Sequence, residues 1–185
     1  MSSGYGQVHS HAVGYHAIEV WNGHWHRLNA MALSFWEDRL RARQHIVALG
    51  GSDTHRLKSA DRDARQAPHL GCPTTWARVG SDRSTAGVLG ALRSGNAFIS
   101  RGPDGPQVYL DWRPDGVRVH AVGARRAVLL LITEAGVVSA HAIDRDDWRE
   151  SMRLSEAFRY VRAELMDEHS QMLALTNPRY GPGLT

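Results

Sequence analysis

A carboxylate and an imidazole stand two residues apart in Gly50-Gly51-Ser52-Asp53-Thr54-His55, directly after the apolar run Ile46-Val47-Ala48-Leu49. Side chains alternate along a strand with period two, so Asp53 and His55 project to one side and can close on a single ion. The glycines and Ser52 release the strand into a loop. The same string also reads as an ordinary turn followed by a surface histidine, because short motifs recur by chance. A metal centre needs at least three protein ligands as a rule. The other donors available nearby are His9, His11 and His16, ahead of the run Ala17-Ile18-Glu19-Val20-Trp21, and more weakly His24 and His26 just past it. In extended chain, His9-x-His11 places two imidazoles on one ion. Glu19 is a second acid, and in a buried strand it must be paired with a metal, an arginine or a backbone network. Trp21-Asn22-Gly23 is placed to line a pocket.

The elements that would hold these residues follow from the hydrophobic pattern. Ala17–Trp21 reads as a strand stopped by Asn22-Gly23. Residues 28–44 read as a helix, with Leu33, Trp36 and Leu40 on one stripe and charged residues around the rest. Ile46–Leu49 reads as the next strand. Strand, helix and strand make a βαβ unit, with the functional residues at the carboxyl end of the last strand. Residues 56–68 read as a polar loop over the site, and Thr74–Val79 as another strand. Ser84 caps a helix that runs to Gly95, and Ala97–Ser100 closes this part. Arg101-Gly102-Pro103-Asp104-Gly105-Pro106 then marks a boundary, which divides the chain into 1–102 and 103–185. Beyond it, runs at Val108–Trp112, Val117–Val122, Ala127–Thr133, Val137–Ile143, Ala157–Leu165 and Gln171–Thr176 recur at roughly ten-residue spacing, the pattern of an all-β, Ig-like sandwich.

Composition narrows the classes of function. The 185 residues allow one good core or two small domains, and no apolar run reaches membrane-spanning length. The opening Met-Ser-Ser-Gly-Tyr-Gly lacks the charged and apolar regions of a secretory signal. Cys72 is the lone cysteine, so no intramolecular disulfide or multi-cysteine zinc site forms. Residues 1–102 hold 12 Lys+Arg against 7 Asp+Glu, and residues 103–185 hold 10 against 12. The excess in the first part is spread without the patch that nucleic-acid binding needs. It is compatible with an anionic small substrate, but reads first as a merely basic surface. Neither a nucleic acid nor a membrane is expected as a partner. Ser52 and Cys72 lack the base of an activated nucleophile, and no phosphate-cradling glycine loop is present.

Five segments then succeed one another in a familiar order: Ala17–Gly23, Gly51–His55, Gly71-Cys72-Pro73-Thr74-Thr75, Ala91–Pro103, and Tyr160–Glu164 with Thr176-Asn177-Pro178. In this the chain resembles the CehA/McbA-type metallohydrolases of the PHP (polymerase and histidinol phosphatase) superfamily. The resemblance implies an α/β fold, the C-terminal half of a distorted (β/α)7 barrel followed by a small β-sandwich, in a shortened chain that pairs with an upstream barrel half or with its own copies. It implies divalent metal ions, up to three, of manganese, zinc or iron. Asp53 and His55 match the family's last ligand motif and take catalytic metal-holding roles, and His9 and His11 stand where a histidine motif precedes the Glu19 strand. Trp21, Asn22 and Arg56 are the candidate contacts to a small substrate. The expected activity is hydrolysis of a phosphoester, ester or amide-type bond by a metal-activated water. The alternative is an inactive chain that binds or scaffolds through its sandwich.

Overall fold

The computed structural model describes residues 14–55, 69–154 and 157–181. It opens with β1 (Ala17–Asn22), α1 (Arg27–Arg41) and β2 (Val47–Gly51), and β1 and β2 pair in parallel. This is a βαβ unit in which α1 buries Asn29, Leu33, Trp36 and Leu40, a stripe spaced four, three and four residues apart. The polar side of α1 starts at His26, whose Nδ1 accepts the Leu28 N–H and caps the helix. Trp36 is fully buried, and its indole N–H donates to the Ile46 carbonyl at 2.7 Å.

The remaining elements are β3 (Thr74–Ala77), α2 (Thr85–Arg93), β4 (Ala97–Ser100), β5 (Gln107–Arg113), β6 (Gly116–Val122), β7 (Val128–Thr133), β8 (Gly136–Ala142), β9 (Asp147–Met152), β10 (Tyr160–Met166), β11 (Met172–Thr176) and β12 (Arg179–Tyr180). Seven of them form one sheet in the order β3-β4-β11-β10-β7-β8, with β12 on β10, and β5-β6-β9 form a second sheet of three. These two sheets face each other across a core that includes Val108, Leu110, Val119, Leu129, Leu131, Trp148, Val161 and Leu165. The other face of the large sheet packs on the βαβ unit, where Ile99, Tyr160, Met172 and Leu175 meet Val20, Trp21, Leu33, Trp36 and Ala48.

Strand β10 shows how one sequence serves both faces. Val161, Ala163 and Leu165 point into the sandwich, while Tyr160, Arg162 and Glu164 alternate with them toward α1. Arg162 is 1% exposed. It ion-pairs with Glu164 on its own strand and with Glu37 on α1, and lies 5.5 Å from the centroid of the Trp36 ring. A second polar device joins the βαβ unit to the sheet. Asn177, also buried, accepts the Ala48 N–H at 2.7 Å and donates to the carbonyls of Ala48 and Ala97.

The expected barrel half is overturned. Strands take 43% and the two helices 16% of the described residues, in three sheets, where a (β/α)7 barrel alternates strand with helix throughout. The βαβ unit of β1, α1 and β2 is the only parallel pairing among the described residues. The reason lies at α2. The Arg78 N–H donates to the Asn96 carbonyl at 2.7 Å, which closes the ends of β3 and β4 together, so the α2 segment is an excursion at one end of the sheet and β3 and β4 run antiparallel. A parallel crossover would have had to carry the chain back along the strand. The large sheet also spans residue 102: β4 lies before it and pairs with β11 near the other end of the chain. Strands β9 and β12 have no counterpart in the sequence reading. In β9 only Trp148 is buried, so its pattern is that of a polar edge.

Candidate functional site

The carboxyl ends of β1 and β2 come together where the sequence places Asp53 and His55. Gly50 is the anchor. A Cβ there would stand 2.7 Å from Ile99 Cγ2 and 3.1 Å from the Trp21 carbonyl, so only glycine lets β2 lie this close to β4. The Gly50 N–H donates to the Thr75 hydroxyl, which in turn donates to the Gly50 carbonyl, at 2.9 and 2.8 Å. One side chain thus satisfies both backbone groups at the end of the strand. On the other side, Gly51 accepts from the Gly23 N–H at 3.0 Å. The turn after β1 is fixed by Asn29, which accepts the Asn22 N–H and donates to the carbonyls of Asn22 and His24.

From this fixed base the chain turns outward. Asp53 adopts a left-handed backbone with φ of 47°, which aspartate tolerates better than most residues. The turn brings its Oδ1 to 2.8 Å from His55 Nε2. Both side chains face solvent, Asp53 55% and His55 83% exposed. As placed, Oδ1 and Nε2 face each other across a hydrogen bond, and an ion held by both would take the place of that bond. Oxygen and imidazole nitrogen together suit manganese, iron or zinc. The fit extends to two donors: among the described residues no group of three His, Cys, Asp or Glu side chains is placed to hold an ion.

The other expected site residues divide. His9, His11 and Arg56 lie outside the described residues. Glu19 is exposed rather than buried, because β1 is an edge strand, and its Oε2 accepts from the Asn22 side chain at 3.1 Å. Asn22 is thereby tied to Glu19 and Asn29. Trp21 is only 2% exposed; its indole donates to the Gly23 carbonyl and its ring meets Trp25 edge-on at 5.1 Å. It nevertheless forms part of the wall of a cleft of about 470 Å³ at this end of β1, together with His24, His69, Cys72, Arg101 and Asp104. His26 is a helix cap, and His45 stacks on Tyr180 at 4.4 Å. His120 pairs with Asp147, and His141 bonds to Ser139.

Sequence reasoning passed over the residues that position this site. Asn29 carried a readable signal, since it stands four residues before Leu33 on the buried stripe, where a polar residue must have partners. Thr75 and Asn177 stand in segments that carry the family resemblance, but nothing there shows their bonding role, because each acts through the fold on a strand distant in sequence.

No family model matches the chain, and no curated protein or solved structure matches it. The bonding at the ends of β1 and β2 therefore stands as the ground on which a function is assigned.

Proposed function

We propose that the chain is a metal-dependent hydrolase that holds a divalent cation at Asp53 and His55. The observation that carries this reading is the convergence of Asp53 Oδ1 and His55 Nε2 to 2.8 Å at the carboxyl ends of the parallel pair. The ordered resemblance of the surrounding segments to PHP-type metallohydrolases supports it. A cation bound there would bring the pKa of a bound water down to about 7 and so supply hydroxide to a phosphoester, ester or amide-type bond. The chain's own residues do the positioning. Thr75 and Gly50 fix the strand end, and the left-handed turn brings the Asp53 carboxylate to His55, whose Nε2 would exchange its bond to that carboxylate for the ion. The cleft beside Trp21, at the carboxyl end of β1, is the proposed seat of the substrate.

A second reading, a chain that binds without catalysing, is favoured by the two-donor count among the described residues. Metal analysis separates the two. The purified chain is incubated with manganese, zinc or iron, dialysed and assayed for bound ion and for hydrolysis of p-nitrophenyl phosphate and acetate. Retained metal and turnover that both fall in Asp53→Asn and His55→Ala, with the fold intact by circular dichroism, support the hydrolase. A chain that retains none of the three ions sinks it.

A further inference from the structure

A second cleft is lined by residues just past β3, just before β4 and on β5 and β12, and neither Asp53 nor His55 borders it. Its volume is about 520 Å³, and Arg78, Asn96, Asp111, Trp112, Arg113 and Arg179 line it. Two of the three guanidinium groups here pair with the one carboxylate. Arg78 Nη1 lies 3.0 Å from Asp111 Oδ1, and Arg113 Nη2 lies 4.0 Å from Asp111 Oδ2. Arg179 has neutral partners: its Nε donates to the Leu110 carbonyl at 3.0 Å and its Nη2 to the Asn96 side-chain oxygen at 2.8 Å. These two bonds, to β5 and to the residue just before β4, fix the orientation of the Arg179 fork, so little side-chain entropy remains to be lost on binding.

The local charge is out of balance. With three cations and one anion, the cleft wall carries a net charge of +2 from Arg78, Arg113, Arg179 and Asp111. Burial lowers the pKa of Arg179, nearby Asp111 raises it, and the like charge of Arg78 lowers it further. A guanidinium that is partly desolvated and repelled by a neighbour is costly unless an anion offsets it. Arg78 and Asp111 also border an adjoining groove with Arg118, Tyr109 and Arg149, the last already paired with Asp147. Trp112 also lines the cleft of Arg78 and Arg179 and packs partly against the sandwich core.

We infer that this cleft binds a small ligand bearing a dianionic oxyanion group, by charge a phosphomonoester, gripped by Arg78 and Arg179 with its apolar or aromatic body against Trp112. Planar guanidinium forks match the spacing of phosphoryl oxygens, and two such groups with Arg113 at the rim neutralise a charge of −2. The site is separate from the proposed metal pair and does not depend on it.

The test is calorimetric titration of the full chain, at low ionic strength, with phenyl phosphate, inorganic phosphate and benzoate. Saturable binding is expected, tightest for phenyl phosphate and weaker as salt is raised. Arg78→Ala, at a half-exposed position, weakens phenyl phosphate by ~10–100-fold, the usual effect of losing a charged hydrogen bond. Trp112→Leu removes the advantage of phenyl phosphate over inorganic phosphate. Arg125→Ala, exposed and outside the cleft, leaves binding unchanged. Arg179→Lys serves as a second probe that keeps the charge and loses the fork, and it too binds more weakly. The inference is overturned if no saturable binding occurs, if Arg78→Ala binds like the parent, or if benzoate equals phenyl phosphate.

Discussion

Asn177→Ala should loosen the βαβ unit from the sheet that carries it. Asn177 is 2% exposed and makes three hydrogen bonds, two of them to the N–H and C=O of Ala48. Ala48 is itself fully buried, so water cannot replace the lost partner. Each buried group left unpaired costs about 1–3 kcal/mol, and two such groups on Ala48 give about 2–6 kcal/mol. The Ala97 carbonyl adds little, because the backbone N–H of Asn177 still donates to it. For a domain whose total stability is about 5–15 kcal/mol this is a large fraction, and at about 2–4 °C per kcal/mol the midpoint of thermal unfolding drops by roughly 4–24 °C. The assay is urea unfolding followed by tryptophan fluorescence, with hydrogen exchange on the same variant. Exchange should rise first at the amides of β1 and β2, and those of β6 and β10 should stay protected. A loss below about 1 kcal/mol, or exchange that rises evenly over the whole chain, would refute the reasoning that this one amide ties the unit to the sheet.

Two further outcomes follow from the ion pairs. Arg162→Met leaves the buried carboxylate of Glu164 without its cation and the partly buried one of Glu37 with Arg41 alone, and urea unfolding should show a loss of about 3–5 kcal/mol, whereas replacement of Arg162, Glu37 and Glu164 together by apolar residues should recover much of it. Asp147 has its pKa lowered, chiefly by the hydrogen bond from Arg149 and also by His120. A depressed carboxylate favours the fold above its ordinary unfolded value near 3.9 and loses that contribution as pH falls through the folded value. Carboxyl NMR should therefore show Asp147 titrating on the acid side of an ordinary aspartate, and Arg149→Ala should move it back up; an unmoved midpoint would count against the assignment.

The local elements were legible because each is written in a local pattern. The stripe Leu33, Trp36 and Leu40 marks α1, Ser84 marks the start of α2, and the ten-residue spacing after Gly105 marks the sandwich. Strand direction was not legible. A strand, a capped helix and a strand look alike in sequence whether the helix crosses the sheet or leaves and returns at one end. The bond from Arg78 to Asn96 that decides the matter is backbone to backbone. The same holds for the two sites. Asp53 and His55 are neighbours in sequence, and so their meeting could be anticipated. The cleft of Arg78, Asp111 and Arg179 joins residues from β5, β12 and the end of β3, and the even spread of arginine along the chain concealed it.

The pairing of β4 with β11 has a consequence for the order of events during synthesis. Residues Ala97–Ser100 are all buried, and one edge of this strand is completed only by Ala174–Thr176. At 5–20 residues added per second, the ribosome delivers that edge roughly 4–15 s after Phe98 has been made. During that interval Phe98 and Ile99 sit on an open, apolar edge, the kind that invites pairing with a neighbouring chain. A nascent chain of this protein is thus a natural client for holdase chaperones until its last strands emerge, and slow translation through the sandwich would lengthen the exposure.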